Sequence, residues 1–152
     1  MNLSIREYHP QDFERICEIF SLSKKIEMSF SGIDIEIISL EKDENLKTDF
    51  EKSQIIVAEF GNEIWGFAGY SNDYISFMFA HPDYFGKGIG KALIKEVLIN
   101  CQHAHLAVLK ENIPAITLYK SFGFEIEKEF EGVYRGIKCN ALKMVRYSSL
   151  KN

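Results

Sequence analysis

Residues Tyr84 to Lys91 read Tyr-Phe-Gly-Lys-Gly-Ile-Gly-Lys, a spacing suited to holding phosphate. Glycines at 86, 88 and 90 let the backbone turn tightly and let a ligand approach it closely. A helix is expected to open at this point. Its first amides have no partner within the helix and stand at the positive end of its dipole. Such an end binds anions, and Lys87 and Lys91 add mobile positive charge. The stretch lacks the Gly-Lys-Ser/Thr ending of a P-loop. Its last glycine is also misplaced for the dinucleotide fingerprint. Taken alone, it reads equally as a glycine-rich turn with two solvated lysines.

A second stretch runs from Asn112 to Phe124 and contains Pro114, Ala115, Tyr119 and Gly123. Asn112 can cap a helix, and Pro114 suits its first turn. Tyr119 by itself reads as a core aromatic. His81 has an ordinary pKa near 6.5, but it precedes Pro82 in a strand-end turn and reads as structural. His103 and His105 would share a face if their strand began early. No carboxylate lies beside them in sequence, and no metal site is expected. Cys101 and Cys139 read as buried small hydrophobes.

The elements that must position these residues are legible from periodicity. Leu3 to Tyr8 alternates apolar and polar like a strand. From about Asp12, Phe13, Ile16, Cys17 and Phe20 form a helical stripe, with Asp12 as its N-cap. Ser29 to Gly32 breaks that helix. Residues 34–52 are assigned to a second helix. Strands follow at Gln54–Phe60, Glu63–Tyr70 and Tyr74–Ala80, joined by turns at Gly61-Asn62 and Ser71-Asn72, so this part forms an antiparallel meander. Helix 88–100, strand His105–Leu109 and helix Asn112–Phe122 come next, with Gly123 as a left-handed cap. Two strands around Gly132 finish the chain. The order is β-α-α-β-β-β-α-β-α-β-β, an α/β (α+β) fold with about seven strands, mostly antiparallel, and about four helices.

The chain has 152 residues, suited to a single domain over 1–152. With 18 basic and 22 acidic side chains its net charge is -4, which argues against a nucleic-acid partner. No apolar run reaches the ~20 residues needed to cross a membrane. The start, Met1 to Glu7, has no basic patch followed by an apolar core, so no secretory leader is expected. Three scattered cysteines make a disulfide framework unexpected and a cytoplasmic location the simplest one. The charge divides along the chain. Residues 1–60 carry 13 acids and 7 bases, net -6, whereas 61–152 carry net +2.

Together the two stretches resemble the GCN5-related N-acetyltransferase (GNAT) superfamily. Its pyrophosphate loop, Gln/Arg-x-x-Gly-x-Gly/Ala, is matched by Phe85-Gly86-Lys87-Gly88-Ile89-Gly90. Its later Asn, Pro, Ala, Tyr, Gly-Phe series is matched by Asn112, Pro114, Ala115, Tyr119 and Gly123-Phe124. His81-Pro82-Asp83-Tyr84 resembles the family's strand end. Phe85 replaces the family's Gln or Arg, so one polar contact is lost, for which Lys87 or Lys91 would substitute.

The resemblance implies acetyl transfer from acetyl-CoA to a primary amine of a small molecule or protein. The cofactor would lie on Phe79, Ala80, Phe85, Gly86, Lys87, Gly88, Ile89, Gly90, Lys91 and Asn112. Tyr119 would be the general acid for the leaving thiolate. The acceptor side is expected at Phe30, Tyr74 and Tyr134, in or beside acidic or aromatic segments. No general base is assigned. The sequence admits a homodimer. The competing reading is a non-catalytic acyl-CoA-binding sensor or interaction module on the same scaffold.

Overall fold

The computed structural model describes residues 2–147; the outermost residues of the expected 1–152 domain lie outside them. Seven strands form one sheet in the order β1-β2-β3-β4-β5-β7-β6. They are β1 (Leu3–Glu7), β2 (Gln54–Phe60), β3 (Glu63–Ser71), β4 (Tyr74–Ala80), β5 (His105–Leu109), β6 (Glu125–Tyr134) and β7 (Ile137–Val145). Among the described residues there are four α-helices, α1 (Phe13–Phe30), α2 (Glu44–Lys52), α3 (Ile89–Asn100) and α4 (Ile113–Ser121). Every neighbouring strand pair is antiparallel except β4 and β5. The expected mixed, mostly antiparallel sheet is therefore observed.

The strand alternation sends side chains to two separate cores. One gathers α3, α4 and the sheet around Leu93, Ile94, Val97 and Met144. The other packs Ile16, Ile19 and Phe20 of α1 against Val57, Phe67 and Phe77. Gly66 of β3 lets the layers close up. A Cβ there would stand 2.6 Å from Ile89 Cγ2 and 2.8 Å from the Phe79 carbonyl oxygen. Because the backbone carbonyl cannot yield cheaply, Gly66→Ala should cost about 1–3 kcal/mol, read as a lower denaturation midpoint at an unchanged m-value.

Several expectations are corrected. Residues 33–39 form no regular element, and α2 spans only Glu44–Lys52. The Asp43 carboxylate accepts from Asn45 N at 3.1 Å and Leu46 N at 3.2 Å, which sets where that helix begins. The second meander turn is Asn72-Asp73, with φ of 49° and 69°. The last hairpin turns at Arg135-Gly136, with φ of 50° and 80°, whereas Gly132 pairs within the ladder opposite Cys139. Such a tight turn needs positive φ at both central residues, and arginine does not advertise that conformation. Cys101 is fully buried as expected, but Cys139 is only half-buried.

Asp12 precedes α1 yet makes no side-chain bond to its first amides. Its carboxylate instead accepts from Arg6 at 2.9 and 3.0 Å and from His9 N at 2.8 Å. The Arg6 guanidinium, aided by the His9 amide, holds the Asp12 carboxyl below the usual carboxylate range despite its burial. That stabilisation is complete above a pH of about 4, the unfolded value, and is lost as pH falls through the lower folded value. Asp12→Asn should lower stability at neutral pH by roughly 2 kcal/mol. Urea titrations should show the variant's deficit shrinking as pH falls below about 4.

Candidate active site

β4 and β5 run parallel and pair only at Tyr74 and His105. Beyond that pair the sheet splits, leaving the β5-side backbone of β4 near Phe79 and Ala80 without a strand partner. A cleft of about 490 Å³ occupies this region. Its floor and walls include Met78, Phe79, Ala80, Ile89 and Leu118.

The glycine loop forms one end of the cleft. Tyr84 anchors its entrance by stacking on Trp65, with ring centroids 4.0 Å apart, and by donating its hydroxyl to Glu63 Oε1 at 2.7 Å. Gly86 and Gly88 both have φ of +81°, and a Cβ on either would meet open space. They are glycines for their backbone conformation rather than for crowding. The first helical hydrogen bond of α3 runs from Ala92 N to Gly88 O at 3.0 Å. The amides of Ile89, Gly90 and Lys91 precede it and have no helical acceptor. The Ile89 side chain is buried, so its amide serves the loop while its side chain holds the helix to the sheet. Unpaired amides, an open glycine cradle, a free strand edge and apolar walls together fit a long ligand with a phosphate-bearing end.

Tyr119 of α4 borders the same cleft. Its ring lies 5.6 Å from Phe124, and only 6% of the residue is exposed. Burial first, and then the Glu27 charge, push its phenol well above the ordinary value. The hydroxyl is therefore protonated throughout the physiological range. Asn112 caps α4 by accepting from Ala115 N at 3.3 Å, and it also borders the cleft.

Of the residues singled out in the sequence, the cleft brings together Phe30, Phe79, Ala80, Phe85, Gly86 and Gly88. It adds Ile89, Gly90, Lys91, Asn112 and Tyr119. Three residues are not among its lining. Lys87 is exposed outside it, so Lys91 is the lysine beside the cradle. Tyr74 sits where β4 and β5 still pair, its ring 5.1 Å from His105, at the far end of β4 from Phe79 and Ala80. Tyr134 lies under Lys24, whose Nζ stands 5.5 Å from the ring centroid, with its own hydroxyl buried and unpartnered among the described residues. His81 is buried and its Nδ1 accepts from Asp83 N at 3.1 Å, a structural use of the ring. β5 begins at His105, so His103 lies outside the strand.

Sequence reading missed Ser23, Ile26 and Glu27, which border the cleft from α1. Their spacing with Phe30 marks one helix face, but only the tertiary packing shows that this face meets the cleft. Among the described residues, no helix is long and apolar enough to cross a membrane.

Comparison with known proteins agrees with this geometry. The family model described as "Acetyltransferase (GNAT) domain" matches residues 51–126. The chain is 28% identical over 137 residues to the uncharacterized N-acetyltransferase YafP of Escherichia coli, covering 89% of each. It is 36% identical over 59 residues to the spermine/spermidine N(1)-acetyltransferase of Bacillus subtilis, covering 35% of this chain and 39% of that protein. Among solved structures, yncA from Salmonella typhimurium, determined with its cofactor acetyl-CoA, superposes with a TM-score of 0.74 at 18% identity. That match covers 100% of this chain and 97% of the other.

Proposed function

We propose a reaction from one premise: the chain belongs to the acetyltransferase (GNAT) domain family. It is an acetyl-CoA-dependent N-acetyltransferase, and the acceptor is a primary amine. Acetyl-CoA supplies an acyl carbon activated as a thioester.

The chain's own groups divide the work. The free amides of Ile89, Gly90 and Lys91 behind the glycine loop bind the pyrophosphate, with the Lys91 side chain adding positive charge. The unpaired edge of β4 at Phe79 and Ala80 hydrogen-bonds the pantetheine arm by strand addition. A backbone amide there also faces the acyl oxygen, where negative charge grows as the amine attacks. Tyr119 holds a proton at its hydroxyl for the departing sulfur. Phe85, 48% exposed, supplies no polar contact, and Lys91 is the substitute at that place.

One observation carries the reading. A partnerless strand edge, a phosphate cradle and a phenol held protonated border a single cleft. The B. subtilis relative is named for alkyl polyamines, which supports a small aliphatic amine among the acceptors.

The test is free-thiol release from acetyl-CoA with a panel of primary amines. Amine-dependent release at a rate above buffer is expected. Acetyl-CoA binding without release across the panel would replace this reading with the sensor.

A further inference from the structure

The charges bordering the cleft are segregated. Lys91, in the first turn of α3 beside the glycine cradle, is the one cationic residue among its described lining residues. Glu27 is the one carboxylate among them, and its charge acts on Tyr119 at the other end. The lining that Glu27 shares is mostly apolar, with Ile26, Phe30, Met78, Phe79 and Leu118, and includes the polar Ser23 and Tyr119.

Helix formation does not call for an acid at this position. Glu27 occupies the last turn of α1, where the dipole disfavours negative charge and no basic residue lies in the same turn. Lys24 donates to Glu27 Oε1 at 3.0 Å from one turn earlier, with each side chain only 20% exposed. Lys24 itself is absent from the cleft lining. Oε2 of Glu27 has no hydrogen-bond partner among the described residues. A half-buried carboxylate with a spare oxygen and apolar neighbours is a site for a cation.

We propose that Glu27 receives the ammonium group of the acceptor, and that the acceptor is a primary ammonium on an alkyl chain. This rests on the acetyltransferase reading of the cleft and assigns the acceptor end of it. The apolar wall would take the alkyl chain, and Glu27 would share its charge between Lys24 and the incoming head group. Neutralising Glu27 in this way also weakens one of the two influences that hold the Tyr119 proton in place.

The test measures binding rather than turnover. n-Butylammonium is titrated calorimetrically into the full chain saturated with coenzyme A, and n-butanol serves as the neutral isostere. Wild type should bind butylammonium about tenfold tighter than Glu27→Gln, with butanol binding unchanged between them. Lys24→Met removes the competing cation and should bind butylammonium as tightly as wild type or more so. Glu27→Gln is isosteric, and its thermal midpoint checks that the fold is retained. Equal butylammonium affinity in wild type and Glu27→Gln overturns the proposal, as does absence of binding to wild type. Equal weakening by Lys24→Met also overturns it, since Glu27 would then serve only the helix ion pair. Binding that depends on Glu27 without thiol release would instead refute the acetyltransferase reading and leave the cation site standing.

Discussion

Tyr119→Phe should lower kcat by about 10²-fold or more while leaving the dissociation constant for acetyl-CoA within about twofold. The substitution removes one oxygen, which has no hydrogen-bond partner among the described residues, so little stability is at stake. The ring keeps its place against Phe124 and in the apolar wall of α4. What disappears is a proton that burial and the Glu27 charge hold on the phenol above its ordinary range. A group that donates only as the sulfur departs contributes to the transition state and not to ground-state binding. The loss should therefore appear in kcat and in kcat/KM equally. Steady-state kinetics beside calorimetric titration of acetyl-CoA separates these quantities. An unchanged kcat would remove Tyr119 from the reaction and leave it as a packing residue.

The double substitution Gly86→Ala, Gly88→Ala should raise KM for acetyl-CoA at least about tenfold, with kcat at saturation much less affected. Both positions sit at φ of +81°. Holding alanine there costs about 1–2 kcal/mol at each residue. Open space around both Cβ positions rules out a steric cause, so the whole effect passes through the backbone. A loop that relaxes this strain rotates its amides away from the phosphate end of the cleft. The cost then falls on binding, because Tyr119 and the strand edge are untouched. Salt dependence offers a second reading. The remaining attraction from Lys91 and the helix dipole is screened more readily than directed amide bonds, so the variant's KM should rise more steeply with ionic strength. Equal KM values for variant and wild type would exclude the loop from phosphate binding.

How much of this was legible beforehand depended on the range of the interaction concerned. β2, β4 and β5 were readable to the residue, because strand alternation and turn glycines are local signals. The cap at Asn112 and the left-handed Gly123, with φ of +90°, were readable for the same reason. Asp12 was misjudged because its partner is Arg6 on the neighbouring strand, and the Arg6 charge outcompetes the helix's own amides. Residues 34–52 looked helical by composition. Burial of Leu40 and contact of Ile37 with the α1 core instead hold their first part irregular.

The sequence by itself determined the element order and the glycine-rich strand-to-helix turn of residues 84–91, which follow from backbone preferences and from spacing within one stretch. It was the resemblance to the acetyltransferase family, and no local spacing, that joined that loop to Tyr119. The sequence also determined that negative charge concentrates in the first sixty residues. Only the tertiary structure decided where the cleft opens, because the split depends on β4 and β5 parting after a single paired position. It placed Tyr74 at the closed end of that split, outside the cleft lining, and brought Glu27, an unremarked acid in a charged helix, to the cleft. Glu27 and Tyr119 are 92 positions apart in the chain. A carboxylate becomes consequential only when folding strips water from around it and sets it beside a buried phenol, and no local pattern of residue types encodes that desolvation.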